Sequence, residues 1–523
     1  MDTENTSSII RFRWAMFVVG PLLAALTYLA LPETFTRTVD NQLQTLTLDH
    51  TARAAAALGV WMAVWWLSEA VNITVTALLP IVLMPLFGIR GIGEALSPYA
   101  HPIIFLFMGG FILSLSMQKW GLHKRIAMYT LRLIGTQPRR LVLGFMVATA
   151  ILSMWVSNTA TTLMMLPIAL SVLDRFGVVS RIDDTKGGMN GGETETAATN
   201  LAVCLTLGIA YAASIGGLGS PLGSPPNAIA LGYLTNVGIS ISFAQWMIIG
   251  VPLVVVFLPL AWLILTRILY PIRDDQFAAS AADAIQTSPG PMNRGEVVTA
   301  IVFFTAVGLW VFRSMYDSVA IGAIKPFAGS GGDALIAMTA ALALFVIPAS
   351  GTPRRFIMDW TTAAKLPWGV LLLFGGGLSL AGALAYTPAG ADGIQYASFS
   401  AYLAEQLATL SNLPLFFIVL ATVVLVIFLT ELTSNTATAN TLVPILGALA
   451  LTLGVAPTTL ILPAALAATC AFMLPVATPP NAIVYASGHI RIGQMIRAGF
   501  VLNLTGIVLI TLMTYFLLPI MIG

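Results

Sequence analysis

Thirteen apolar runs divide this 523-residue chain, most of them near or above the roughly 20 residues needed to cross a bilayer. They cover 12–32, 53–69, 71–89, 102–118, 141–172, 197–234, 243–270, 296–313, 334–350, 367–385, 413–451, 459–487 and 498–522. Runs of this length are too long for strands, so they read as helices. The fold class is therefore an all-α polytopic membrane protein. Four runs are interrupted, at 157, near 223, at 434 and near 478. The longest polar inserts, 173–196 and 271–295, read as solvated loops, and no stretch between the runs has room for a separate soluble domain. The first run, from Trp14 to Leu31, lacks a small-residue cleavage site and reads as a retained first helix.

Composition narrows the function classes. Charged residues make up 9 % of the chain against about 25 % in soluble proteins, which excludes an ordinary globular enzyme. A net charge of +2 supplies no basic field for nucleic acid. Cys204 and Cys470 each sit inside an apolar segment, without metal-ligand spacing, and read as small packing residues.

Basic residues order the topology. If 141–172 and 413–451 are re-entrant hairpins, the other eleven segments cross, with the N-terminus cytoplasmic. Nineteen of the 24 Lys and Arg residues then fall inside. Only Arg37, Arg53, Arg90, Arg313 and Lys325 fall outside, while the external loop 386–412 carries Asp392 and Glu405 and no base. Crossing hairpins would invert every segment between them and destroy this bias.

The chain also repeats itself. Phe107-Met108-Gly109-Gly110-Phe111 corresponds to Phe374-Gly375-Gly376-Gly377-Leu378. Ser157-Asn158-Thr159-Ala160-Thr161 matches Ser434-Asn435-Thr436-Ala437-Thr438 residue for residue, and Ser224-Pro225-Pro226-Asn227 matches Thr478-Pro479-Pro480-Asn481. The order is the same in both halves, and the topology makes the halves inverted. Inverted repeats with paired helix breaks are the mark of a secondary transporter, and the breaks mark its binding site.

Backbone at membrane depth leaves the helix only where protein or water satisfies it. A single Ser-Asn-Thr is ordinarily an N-cap and a single Pro-Pro a kink; both occurring twice in register favour a site. Each restart of the helix after a break presents unpaired N–H groups and a positive dipole end, which suit an anion without any arginine. Carbonyls freed at Gly223 and Ala477 suit a small cation. The glycines at 109, 110 and 375–377 read as close helix packing. Glu431, three residues before the second triplet, either shapes that tip, titrates, or supports a helix N-terminus; Glu69 reads as interfacial. His50, His101, His123 and His489 fall near helix ends.

The Ser-Asn-Thr pair, the run Ser214-Ile215-Gly216-Gly217-Leu218-Gly219-Ser220-Pro221-Leu222-Gly223-Ser224-Pro225-Pro226-Asn227, and Phe472-Met473-Leu474-Pro475-Val476-Ala477-Thr478-Pro479-Pro480-Asn481 resemble the divalent anion/sodium symporter family of dicarboxylate and citrate carriers. The resemblance covers nearly the whole chain. It implies a homodimer in the bilayer, with scaffold and transport domains and an elevator mechanism. It also implies one sodium site at Ser153, Ser157, Asn158 and the Gly223 carbonyl. A mirrored site takes Thr430, Thr433, Asn435 and the Ala477 carbonyl, with the backbone serving at Thr433. Substrate carboxylates meet Asn158, Thr159, Ser434, Asn435 and Thr436, flanked by Ser224, Pro225, Thr478 and Pro479.

The expected organisation is N-terminal scaffold helices over 1–98, a first repeat over 99–270, linker and scaffold helices over 271–366, and a second repeat over 367–523. The expected function is sodium-coupled import of a C4-dicarboxylate (succinate, malate or fumarate) across a bacterial inner membrane, with Na+ as coupling ion and no organic cofactor. Rival readings are a sodium-independent dicarboxylate exchanger, or a carrier of citrate or sulfate-type anions, in the same fold. An intramembrane enzyme and a channel are the rivals from other classes; the enzyme would need a catalytic dyad, metal site or acidic motif at depth, and the sequence displays none.

Overall fold

Helices take up nearly every apolar run, and they stop where the sequence supplies hydroxyls, glycine or proline. The computed structural model describes residues 3–39, 42–135, 137–175, 193–272, 290–320, 325–349, 355–388, 394–407 and 413–518. Arg181, Asp183, Asp184, Lys186, the glycine pairs of 187–192, Arg273, Arg354 and Asp392, and the side chains of Arg175, Glu193 and Glu195, lie outside the described residues, with whatever topology was read from them.

The first helices are α1 (Thr3–Ala30) and α2 (His50–Ser68), which pack together. Between them Thr34–Val39 (β1) and Gln42–Thr47 (β2) pair antiparallel, with Thr34 opposite Thr47. This hairpin departs from a wholly helical expectation. Its threonines alternate with larger residues, a pattern that suits a pleated surface, and Phe35 is buried with Leu48, Ala52 and Ala397. The 71–89 run, expected to cross as one helix, is divided into α3 (Ile73–Thr76) and α4 (Leu79–Leu86). Pro80 has no N–H to offer the Thr76 carbonyl, so the ladder stops there.

Next come α5 (Ile92–Leu96), α6 (Pro102–Trp120) and α7 (Leu122–Ile134). The α7 helix is amphipathic, an element the run-based reading did not include, and it buries Leu122, Ala127 and Leu131. The first half continues with α8 (Pro138–Ser153), α9 (Asn158–Arg175), α10 (Glu193–Gly216), α11 (Pro225–Asn236) and α12 (Phe243–Leu263). The 173–196 insert is thus helical at both ends. Two further helices, α13 (Arg294–Val311) and α14 (Gly329–Val346), precede a two-residue pairing of β3 (Pro348–Ala349) with β4 (Arg355–Phe356).

The second half contains α15 (Trp360–Ala363), α16 (Trp368–Leu384), α17 (Phe399–Gln406), α18 (Leu415–Leu432), α19 (Asn435–Thr452), α20 (Thr458–Thr469), α21 (Pro479–Ala486) and α22 (Ile492–Leu512). Among the described residues, seven helical stretches are long and apolar enough to cross a membrane, and four shorter apolar helices accompany them. Large apolar side chains such as Leu26, Leu29, Val255, Phe304 and Leu425 face outward, as helices bathed in lipid require.

Packing around the breaks is the same in both halves. Helices α8 and α9 both lie on α10, and α18 and α19 both lie on α20. The halves then cross over: α9 packs on α21, and α19 packs on α11. Glycines set the close approaches. A Cβ on Gly109 would stand 2.6 Å from the Ala337 backbone, and one on Gly376 would stand 2.2 Å from the Ala77 carbonyl oxygen. Close helix packing is therefore what these glycines do.

Candidate functional site

The first break runs from the end of α8 to the start of α9. Ser153 Oγ lies 2.6 Å from Asn158 Oδ1 and 2.6 Å from the Ala213 carbonyl oxygen. One hydroxyl proton cannot serve both acceptors. The same side of the Asn158 amide also faces the Gly223 carbonyl at 3.0 Å, so its oxygen meets only acceptors and the Ser153 hydroxyl. With the amide turned, its nitrogen donates to Gly223 O and Ala213 O at 3.0 Å each and to Ser153 Oγ at 2.6 Å, and the lone pairs are satisfied.

Glycine makes the cluster possible. A Cβ on Gly217 would stand 2.7 Å from Asn158 Oδ1 and 3.2 Å from the Gly223 carbonyl oxygen. Ser157 Oγ accepts from Ala160 N at 3.4 Å, a weak cap on the first turn of α9. Asn158 and Thr159 are half-buried there.

The second break repeats the arrangement. Thr430 Oγ1 lies 2.7 Å from Asn435 Oδ1 and 3.0 Å from the Ala468 carbonyl oxygen, again one proton for two acceptors. Thr433 Oγ1 is engaged with Leu429 O and Thr438 Oγ1, so its side chain serves the hairpin. Ser434 is the N-cap residue of α19, and Ser434, Asn435 and Thr436 are half-buried.

The Pro-Pro-Asn segments are tied by matched bonds. Asn227 Nδ2 donates to Gly217 O at 2.9 Å and Ser220 O at 2.8 Å; Asn481 Nδ2 donates to Ala471 O at 3.1 Å and Leu474 O at 3.0 Å. Each asparagine bridges carbonyls ten and seven residues before it, which holds the unwound loop against its own helix. Both Oδ1 atoms are buried without a hydrogen-bond partner. Ser224 and Thr478 are the extended N-cap residues of α11 and α21, and Pro225 and Pro479 begin the helices. Proline fits there because the N–H it lacks would be unpaired anyway. Ser224 Oγ reaches Thr469 Oγ1 at 2.9 Å and so joins the two halves.

Glu431 resolves into one of its open roles. Its carboxylate accepts from Phe472 N at 2.6 Å, Met473 N at 2.8 Å, Leu474 N at 3.1 Å and Asn503 Nδ2 at 2.7 Å. Three consecutive amides of the unwound 472–474 segment thus close on one buried carboxylate, which ties the end of α18 to the gap between α20 and α21. Glu69 instead pairs with Arg13 at 3.3 Å, with both side chains about half exposed. That fits an interfacial position.

The structure therefore brings together Ser153, Asn158 and Gly223, and separately Thr430 and Asn435. It adds the Ala213 and Ala468 carbonyls, which the sequence did not single out. Every oxygen in these two clusters is a neutral hydroxyl, amide or backbone group. From 141 to 174, from 197 to 266 and from 413 to 490 the chain has no Lys or Arg. The arrangement can coordinate small hard cations and offer helix N-termini to an anion beside them.

The sequence profile described as the sodium:sulfate symporter transmembrane region matches residues 44–522. The chain belongs to the sodium:sulfate symporter family. Within that family it is 40 % identical over 513 residues to a sodium-dependent dicarboxylate transporter of Staphylococcus saprophyticus, covering 97 % of this chain and 91 % of the relative. It is also 40 % identical over 474 residues to a protein of the same name from Staphylococcus aureus strain USA300, covering 89 % and 86 %. A transporter from Alcanivorax borkumensis has a similar fold, with a TM-score of 0.54 over 96 % of this chain and 97 % of that one, at 14 % identity. As a member of the sodium:sulfate symporter family, the chain is an integral membrane transporter and not an enzyme.

Proposed function

We propose that the protein is a sodium-coupled symporter that imports C4-dicarboxylates such as succinate, malate and fumarate. One observation carries the reading: each break gathers a side-chain hydroxyl, an asparagine amide and backbone carbonyls, all neutral ligands, in a region without Lys or Arg. Sodium ions at Ser153, Ser157, Asn158 and Gly223 O, and at Thr430, Thr433, Asn435 and Ala477 O, would supply the positive charge this region lacks. Ala213 O and Ala468 O extend the two sets. The carboxylates then sit between the triplets, at Asn158-Thr159 and Ser434-Asn435-Thr436, with Ser224, Pro225, Thr478 and Pro479 beside them.

Bound ions complete the anion site before the substrate arrives, so coupling follows from electrostatics. The scaffold comprises 1–98 and 271–366; the inverted repeats, 99–270 and 367–523, carry the re-entrant hairpins that return to the side they entered from. The transport domain moves as an elevator within a homodimer of the bacterial inner membrane, N-terminus cytoplasmic. The crossed packing of α9 on α21 and α19 on α11 supports a transport unit that moves in one piece.

Uptake of [14C]succinate into proteoliposomes, with sodium compared with choline, tests the reading. Uptake that collapses in choline is the expected result. Equal uptake in both ends the symport proposal and leaves a sodium-independent exchanger. A competition panel with citrate and sulfate decides between C4-dicarboxylates and the other oxyanions.

A further inference from the structure

Away from the two breaks, a cleft opens between α16 on one side and α11 with α19 on the other. Its outer chamber, about 430 Å³, is lined by Arg90, Glu94, Ser97, Tyr233 and Asn236, with Leu378, Ala381 and Gly382 as its apolar wall. That volume lies within the roughly 300–1,000 Å³ typical of small-molecule sites. Behind it an inner chamber, sharing Tyr233, Leu378 and Ala381, has room for about one water-sized group.

Unpartnered polar groups stand at both ends. Asn440, 1 % exposed, lines the inner chamber with neither Oδ1 nor Nδ2 hydrogen-bonded. Gly377 lets it in, since a Cβ there would stand 2.0 Å from Asn440 Oδ1. At the mouth, Arg90 Nε is buried and has no acceptor. The Arg90 guanidinium stacks over Tyr386 at 4.3 Å and stands 3.7 Å from Glu94, a long contact, while Glu94 accepts from Gly91 N at 3.1 Å. A buried amide and a buried guanidinium N–H left without partners are costly unless something satisfies them.

We propose that this cleft is a second binding site, for a single-chain apolar carboxylate. The carboxylate would accept from Arg90, the chain would lie along Leu378 and Ala381, and a water-sized group would satisfy Asn440. An occupant touches Arg90 and Ser97 of the scaffold and Tyr233 and Asn236 of α11 at once, so it holds the scaffold and the moving unit in their present arrangement. Inhibition of uptake that succinate does not relieve then follows; the moving unit and this inhibition alone rest on the proposed dicarboxylate transport.

Photolabelling of the purified protein in liposomes tests the site independently of transport. The probe is a diazirine-bearing analogue of decanoate, with labelled peptides mapped by mass spectrometry. Labelling is expected within 90–98 and 378–385, displaced by decanoate and not by decanol or succinate. Arg90→Gln and Gly382→Phe are each expected to lower it about tenfold. A Cβ on Gly382 meets nothing within 4 Å, so a side chain can start from there into the cleft; retained sodium-dependent uptake checks that the fold survives the larger phenyl group. Label spread over lipid-facing helices and unchanged by Gly382→Phe overturns the proposal. Displacement by succinate overturns it as a second site, and displacement by decanol overturns the role of the carboxylate. Displacement by phosphatidylglycerol but not by decanoate overturns the free acid as occupant.

Discussion

Ser224 Oγ and Thr469 Oγ1 stand 2.9 Å apart, a buried hydroxyl pair contributed by opposite halves of the chain. Ser224 precedes the first Pro-Pro-Asn helix and Thr469 ends α20, so the pair couples the two breaks. Ser224→Ala or Thr469→Val removes about 1 kcal/mol of stabilisation, and the double variant loses less than the sum of the two. Melting temperatures in detergent, taken with the succinate KM, check this non-additivity.

Glu431 holds three backbone amides of the unwound 472–474 segment. Glu431→Ala leaves them unpaired, at about 1–3 kcal/mol for each buried group, and abolishes folding or uptake. Glu431→Gln is milder than Ala but keeps only one acceptor oxygen, and its amide hydrogens face a backbone N–H. We expect it to express at a lowered melting temperature with weakened sodium dependence, read by thermal melts with and without sodium.

Gly217 tests the first of the two proposed sodium sites. Gly217→Ala places a methyl 2.7 Å from Asn158 Oδ1, so half-saturation by sodium shifts upward at least tenfold. Gly308→Ala, where a Cβ meets nothing within 4 Å, serves as the control and leaves the sodium titration unchanged.

At the second cluster the hydroxyl is what matters. Thr430→Ser keeps it and retains sodium-induced thermal stabilisation, which follows from ligand binding to the folded state. Thr430→Val loses it, and the sodium-induced rise in melting temperature shrinks to the part that the first cluster supplies. An unchanged response in Thr430→Val would remove Thr430 from the site.

Asp359, outside the spans, accepts from Lys119 in the last turn of α6 at 2.5 Å, and this contact holds the Asp359 carboxyl down to about 2. A depressed carboxyl pKa gives stability that is complete above the unfolded value of about 4 and lost as pH falls through about 2. Asp359→Asn therefore lowers the melting temperature equally at pH 5 and pH 8, and less below pH 3.

The breaks were legible because hydroxyl, amide and proline residues stand out in an apolar helix, and doubling made their meaning specific. Asn158 with Ser153, and Asn435 with Thr430, meet as the family resemblance implies. Ala213 and Ala468 were not legible, since what they contribute is a carbonyl, and an alanine in a helix reveals nothing about its backbone neighbours. The donors to Glu431 were hidden likewise, being main-chain N–H groups of an apolar stretch. The β1–β2 hairpin escaped because six-residue threonine-rich strands lie between hydropathy peaks. The split of 71–89 was signalled by Pro80 but outweighed by its continuous apolarity.

Asn227 and Asn481 each fold an unwound loop back onto its own helix with two bonds from one amide nitrogen. A single small side chain in each half therefore fixes the shape of a gap in the helix, and changing that one residue is enough to loosen it.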